Sequence, residues 1–217
     1  MPVDTRYPIR GKAARETPVI GNELQQLADT LHGKHYADAL DGRVFSQSTT
    51  PLGLAIPIYT ATALGGGALP VWNPPDSGVN IELISVDCPR ASGTADFGAI
   101  GLMARKLKAI ATGAIMTAMD ETGKAFNGKV FGGQASKVHS SNQGTNTVTA
   151  GVAGDWWRTL FAINLEADTG TAHATFPAHF DFDGTAIVEP GVLVYLACTK
   201  ASVALFASTI LWKEVPR

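Results

Sequence analysis

The chain has 217 residues, 45% of them hydrophobic and only 17% charged, and its 17 basic and 19 acidic residues leave a net charge of −2. That length fits one large all-β domain or a smaller domain with an attached arm, and a near-neutral balance without a long basic run argues against nucleic acid as a partner. No window approaches the roughly 20 uninterrupted apolar residues of a membrane span, so no membrane partner is expected, and "MPVDTRYPIRGKAARE" has no apolar stretch after its charges, so it does not read as a secretory signal.

Residues 1–20 carry Pro2, Pro8 and Pro18, more basic than acidic side chains and no apolar periodicity, which reads as an extended arm. Leu24, Leu27 and Leu31 then repeat at helical spacing between Asn22, a candidate N-cap, and Gly33, a candidate C-cap. This predicts one short helix, and with it an arm-and-helix unit over residues 1–41 ahead of a body over 42–217. From Gly42 on, short apolar or alternating runs are separated by Gly, Pro, Asn, Asp and Ser. "RVFSQST", "LAIPIYTA", "VNIELISVDC", "FGAIGLMAR", "TNTVTAGV", "WWRTLFAINL", "GTAIVEP", "GVLVYLACT" and "LFASTILWKEV" read as strands. The segment 107–126 mixes a helical stripe with Thr and Gly and is read as strand and loop. "GGGALP" at 65–70 reads as a flexible loop, and the polar, Gly-rich stretch 128–147 as a long surface loop. Many short strands without intervening helices predict an all-β, antiparallel, jelly-roll-like sandwich.

Candidate chemistry is sparse. His179, Asp181 and Asp183 share one strand face by period-two alternation, with His173 six residues earlier, and imidazole and carboxylate together can hold a metal. The His-x-His pair of a cupin is missing, however, and Asp183-Gly184 is a tight-turn signal, so the cluster reads as a polar strand face. His32 and His35 are separated by the helix stop at Gly33, which argues against a shared ligand role. Asp87, Asp96, Asp120 and Glu121 could nominally make a carboxylate pair, but sequence spacing across different strands places no two of them at the roughly 5–9 Å that glycosidic chemistry needs. Cys88 and Cys198 sit in apolar runs and are expected as buried free thiols. No nucleotide fingerprint or nucleophile elbow is present. No catalytic residue, metal or cofactor is therefore expected. Trp156 and Trp157, adjacent on a strand, should point to opposite faces, leaving Trp157 outward for a partner contact or a sugar platform.

The segment "DFDGTAIVEPGVLVYLACTKASVALFASTILWKEVPR" resembles the carboxyl end of a group of tailed-bacteriophage virion proteins. The matching residues are Pro190-Gly191, the run Val192 to Cys198 and Leu211-Trp212-Lys213-Glu214-Val215-Pro216. "GRVFSQSTTPLGLAIP" and "VWNPPDSGVNIELISVD" are similar to that group's opening strands, with Asn73-Pro74 and Ser77-Gly78 at the corner between them. The resemblance implies a single jelly roll that assembles as a homotrimer, a non-enzymatic capsid decoration (cement) protein on the capsid exterior, made in the host cytoplasm, with the major capsid protein as partner. A head-fibre or tail-tip module that binds a receptor or carbohydrate is the alternative.

The residues carry a reading of their own beside this. In "EPGVLVYLACT" both strand faces are apolar, so the outer one asks for a cover. The cover is either a neighbouring subunit or a loop of the same chain. The low charged fraction, below the roughly 25% of an average soluble protein, favours the subunit. Trp157, Leu193, Tyr195 and Trp212 are the residues expected at that interface.

Overall fold

The computed structural model describes residues 34–59, 68–93, 98–106, 126–128, 135–140, 154–163, 178–200 and 204–217. The expected arm (1–20), the helix expected after Asn22, most of the segment 107–126 and the strand expected at 145–152 lie outside these residues. The first described element is the helix α1 (Tyr36–Leu40), beyond the stop expected at Gly33. Thirteen strands follow among the described residues: β1 (Val44–Ser48), β2 (Ala68–Asn73), β3 (Val79–Asp87), β4 (Arg90–Ser92), β5 (Gly98–Lys106), β6 (Phe126–Asn127), β7 (His139–Ser140), β8 (Asp155–Ile163), β9 (His179–Asp181), β10 (Ile187–Val188), β11 (Val192–Cys198), β12 (Leu205–Phe206) and β13 (Thr209–Pro216).

The fold is an antiparallel all-β sandwich, as the strand-and-turn pattern predicts. One sheet runs β6-β1-β13-β3, with β9 and β10 both on the far edge of β3, and the other runs β7-β2-β11-β5-β8. β9 and β10 are two pieces of one edge strand, since they pair in the same direction with Asp87 to Ser85 and with Glu82 to Ile81. Counting them as one and setting aside the two-residue β6 and β7 and the small β4-β12 ribbon, the principal strands in chain order lie 1-8-3-6 and 2-7-4-5. That is the strand order of a jelly roll with its two Greek keys. β6 and β7 both come from the connection between β5 and β8, and each lengthens one sheet.

The core follows from alternation. On β13, buried Ile210, Trp212 and Glu214 alternate with half-buried Thr209, Leu211, Lys213 and Val215. Trp212 stacks on Phe45 of β1, ring centroids 6.2 Å apart. Leu83 and Val86 from the first sheet meet Val71, Leu102 and Leu196 from the second in one apolar cluster. Burying each such side chain stabilises by about 1.5–3 kcal/mol. Cys88 and Cys198 are buried and free, and burial pushes the Cys88 thiol up to about 12.

Two expected elements differ. "LAIPIYTA" forms no strand within its described residues, only the isolated bridges of Leu54 with Phe206 and Ile58 with Cys198, because Pro57 has no N–H to give a ladder. Conversely, residues 68–70, read as loop, begin β2 and are buried. Pro70 is accommodated by a bulge: Val71 pairs with Val194 and Ala68 with Leu196, so Leu69 (φ 48°) and Pro70 together face Tyr195. The extra residue spares the ladder the hydrogen bond that proline cannot donate.

The corner between β2 and β3 forms as its sequence suggests. The Ser77 amide donates to the Pro74 carbonyl and Gly78 has φ 70°. Asn73, fully buried, ties the corner to the turn before β11. Its Nδ2 donates to the carbonyls of Val79 (2.9 Å) and Val188 (3.1 Å), its Oδ1 accepts from the Ser77 hydroxyl (2.6 Å), and its own carbonyl accepts from the Gly191 amide.

Candidate binding site

The "HFDFDG" stretch is a structural seam. Phe180 and Phe182 turn inward, Phe180 meeting Phe161 edge-on. The Arg158 guanidinium of β8 lies over both rings, 5.2 and 5.7 Å from their centroids, and donates to Thr185 Oγ1 at 2.9 Å. One cation thus closes the edge of the sandwich where β8 faces β9 and β10. Of the expected ligand cluster, His179 Nδ1 sits 2.7 Å from Asp87 Oδ1, and Asp181 Oδ1 accepts the Asp183 amide. Asp183 (φ 47°) and Gly184 (φ 76°) form the turn closed by Thr185 N–H to the Phe182 carbonyl, the two positive φ values of a type I′ turn. His173, Asp96, Asp120 and Glu121 lie outside the described residues, and among the described residues no three His, Cys, Asp or Glu side chains come together as metal ligands.

A second polar group lies where α1 meets the first sheet. Asp38 is the buried residue of this helix, and its carboxylate takes Lys213 Nζ at 3.2 Å and the Arg43 guanidinium at 3.0 Å. Lys213 also reaches Glu82 at 3.0 Å. Burial works against the Lys213 charge, but the hydrogen bonds and fields of Glu82 and Asp38 outweigh it and raise its pKa. Beside it, burial and the Lys213 and Lys34 charges lower that of His35. Lys34 pairs with Asp183. α1 exposes Tyr36 and Leu40 and buries an aspartate, so charge rather than apolar area fixes it.

The four residues expected at an interface differ in exposure. Leu193, Tyr195 and Trp212 are 1%, 2% and 0% exposed within one chain. Trp212 belongs to the core between the sheets, and the outer face of β11 is covered by its own chain. The Gly154 amide donates to the Tyr195 hydroxyl (3.2 Å), and neighbouring Trp72 carries the His139 ring, centroids 5.4 Å apart. Of the four residues only Trp157 is exposed, at 41%.

Trp157 does not stand opposite Trp156 in the expected way. Met103 pairs with Trp156 and Leu102 with Arg158, which leaves Trp157 as the extra residue of a bulge in β8. A bulge re-aims its side chains, and Trp156 and Trp157 line one shallow depression of about 380 Å³ with Ala104, Arg105, Lys106, Asp155 and Val192. Trp156 is fixed from three sides. It covers Gly101, where a Cβ would come 2.2 Å from the ring, it meets Tyr59 edge-on at 5.9 Å, and its Nε1 donates to Thr159 Oγ1 at 3.1 Å. The sequence signal for this site was Trp-Trp beside Gly101 on the neighbouring strand, but strict alternation hid it.

Comparison of the chain with protein-family models, curated proteins and solved structures finds no match.

Proposed function

We propose that the chain is a non-enzymatic structural component of a tailed-phage particle, a homotrimeric capsid decoration protein that stabilises contacts between capsid subunits. The observation that carries this reading is the place of the segment bearing the resemblance. "GVLVYLACT" and "TILWKEVP" supply β11 and β13, interior strands of the two sheets, in an all-β sandwich of the kind the resemblance implies. The root of the amino-terminal segment gives further support. An arm that ties neighbouring subunits needs an anchor able to bear load, and the Asp38, Lys213, Glu82 and Arg43 charges bind α1 to β13 and β3. Such a protein works by burying surface at many copies of one contact rather than by chemistry.

The test is reconstitution. Particles lacking the protein should take it up at a fixed copy number and withstand heat better. The chain without residues 1–20 should remain folded and trimeric by sedimentation but fail to bind. A full-length protein that sediments as a monomer overturns the trimer, and one that is absent from purified particles overturns the reading.

A further inference from the structure

We propose that the depression walled by Trp156 and Trp157 binds a saccharide, and that it selects sugars carrying a carboxylate or sulfate. The inference stands apart from the virion reading, because it concerns the isolated chain and is tested on it.

Two adjacent tryptophans on a regular strand cannot serve one ligand, since their side chains leave on opposite faces. Here Trp157 is the extra residue of a bulge, and Trp156 and Trp157 line the same depression. The two rings differ in a way that suits binding. Trp156 is held by Gly101, Tyr59 and Thr159, so it loses little freedom when a ligand arrives. Trp157 is among the exposed large hydrophobic residues. A large aromatic surface left out of the core in this way is where a ligand recovers apolar area.

The volume of about 380 Å³ lies at the small end of the roughly 300–1,000 Å³ typical of ligand sites, the scale of one or two sugar rings. A pyranose offers an apolar C–H face that stacks on indole and a rim of hydroxyls that needs polar partners. Asp155 supplies an acceptor for those hydroxyls. Arg105 and Lys106 line the same depression as cations, and ammonium and guanidinium groups recognise a carboxylate or sulfate on a sugar.

The experiment uses the full-length protein on an array carrying uronate, sialylated and sulfated saccharides beside neutral ones, followed by titration of the strongest hits with tryptophan fluorescence as the signal. Acidic glycans should bind and neutral analogues should bind at least about tenfold more weakly. Trp157→Ala should weaken binding about tenfold or more, Trp157→Phe should retain part of it, and Lys106→Glu should abolish the preference for acidic sugars. Near-ultraviolet circular dichroism of each variant establishes that it is folded. An array with no bound glycan overturns the proposal, as does a folded Trp157→Ala variant with unchanged affinity. Equal binding of neutral and acidic glycans overturns the selectivity.

Discussion

Replacing Asn73 tests how the two sheets are locked at their common corner. In Asn73→Ala two donated hydrogen bonds and one accepted bond disappear from a fully buried position. Each such bond contributes about 0.5–1.5 kcal/mol net, and a buried carbonyl left without its partner costs about 1–3 kcal/mol. Val79 keeps a longer contact from the Ser77 hydroxyl at 3.3 Å, so the greater loss falls on the Val188 carbonyl. The expected destabilisation is about 2–4 kcal/mol, which at roughly 2–4 °C per kcal/mol for a chain of this size lowers Tm by about 5–15 °C. Asn73→Asp keeps the shape but turns an acceptor toward two carbonyl oxygens. Burial and those oxygens raise the folded-state pKa of the new carboxyl, so its penalty grows as pH rises through that value and shrinks below it. Urea unfolding should therefore rank Asn73→Asp below Asn73→Ala at about pH 8 and bring the two together at about pH 4.5. An Asn73→Ala variant within about 0.5 kcal/mol of the parent would refute the reasoning.

Four further outcomes follow from the geometry. Gly101→Ala drives a methyl into the Trp156 ring and should cost about 1–3 kcal/mol with a changed tryptophan spectrum. Gly184→Ala meets only Glu82 at 3.6 Å, so its cost of about 1 kcal/mol comes from the positive φ alone and leaves that spectrum unchanged. Burial raises the pKa of Glu214 although the Ser136 hydroxyl and the Lys137 amide donate to it. Its ionisation therefore costs stability as pH rises from the ordinary carboxylate range through the raised value. Glu214→Gln should gain on the parent in thermal melts at about pH 8 and lose that advantage at about pH 4, and a constant difference would contradict the assignment. Lys213→Met removes the shared partner of Asp38 and Glu82 and should cost about 2 kcal/mol, between the values for exposed and buried pairs. Proteolysis near Lys34 should accelerate in parallel.

The all-β class and most long strands were legible because alternation and turn residues are local signals. Asn73-Pro74, Ser77-Gly78 and Asp183-Gly184 each announced a bend that forms. What was hidden depends on register. A bulge changes which face a residue takes without changing the composition of its strand, so neither Pro70 inside β2 nor the bulge at Trp157 could be read from period two. Asp183-Gly184 carries a hairpin signature, yet the chain resumes in the same direction beside β3. The two-faced apolarity of β11 was a sound signal of cover, but it did not say whose chain supplies it, and Leu193 and Tyr195 are covered by their own.

The interrupted edge strand bears on how copies of this protein can meet. An uninterrupted outer strand is a template on which another chain can polymerise. Here the outward side of β9 and β10 is broken by a looped-out turn, β8 at the border of the second sheet is bulged twice, and the opposite borders are the two-residue strands β6 and β7. Among the described residues each of these four borders is too short or too irregular to zip onto a copy of itself. Ordered assembly of copies through the described strands therefore falls to the faces of the sheets rather than to their edges.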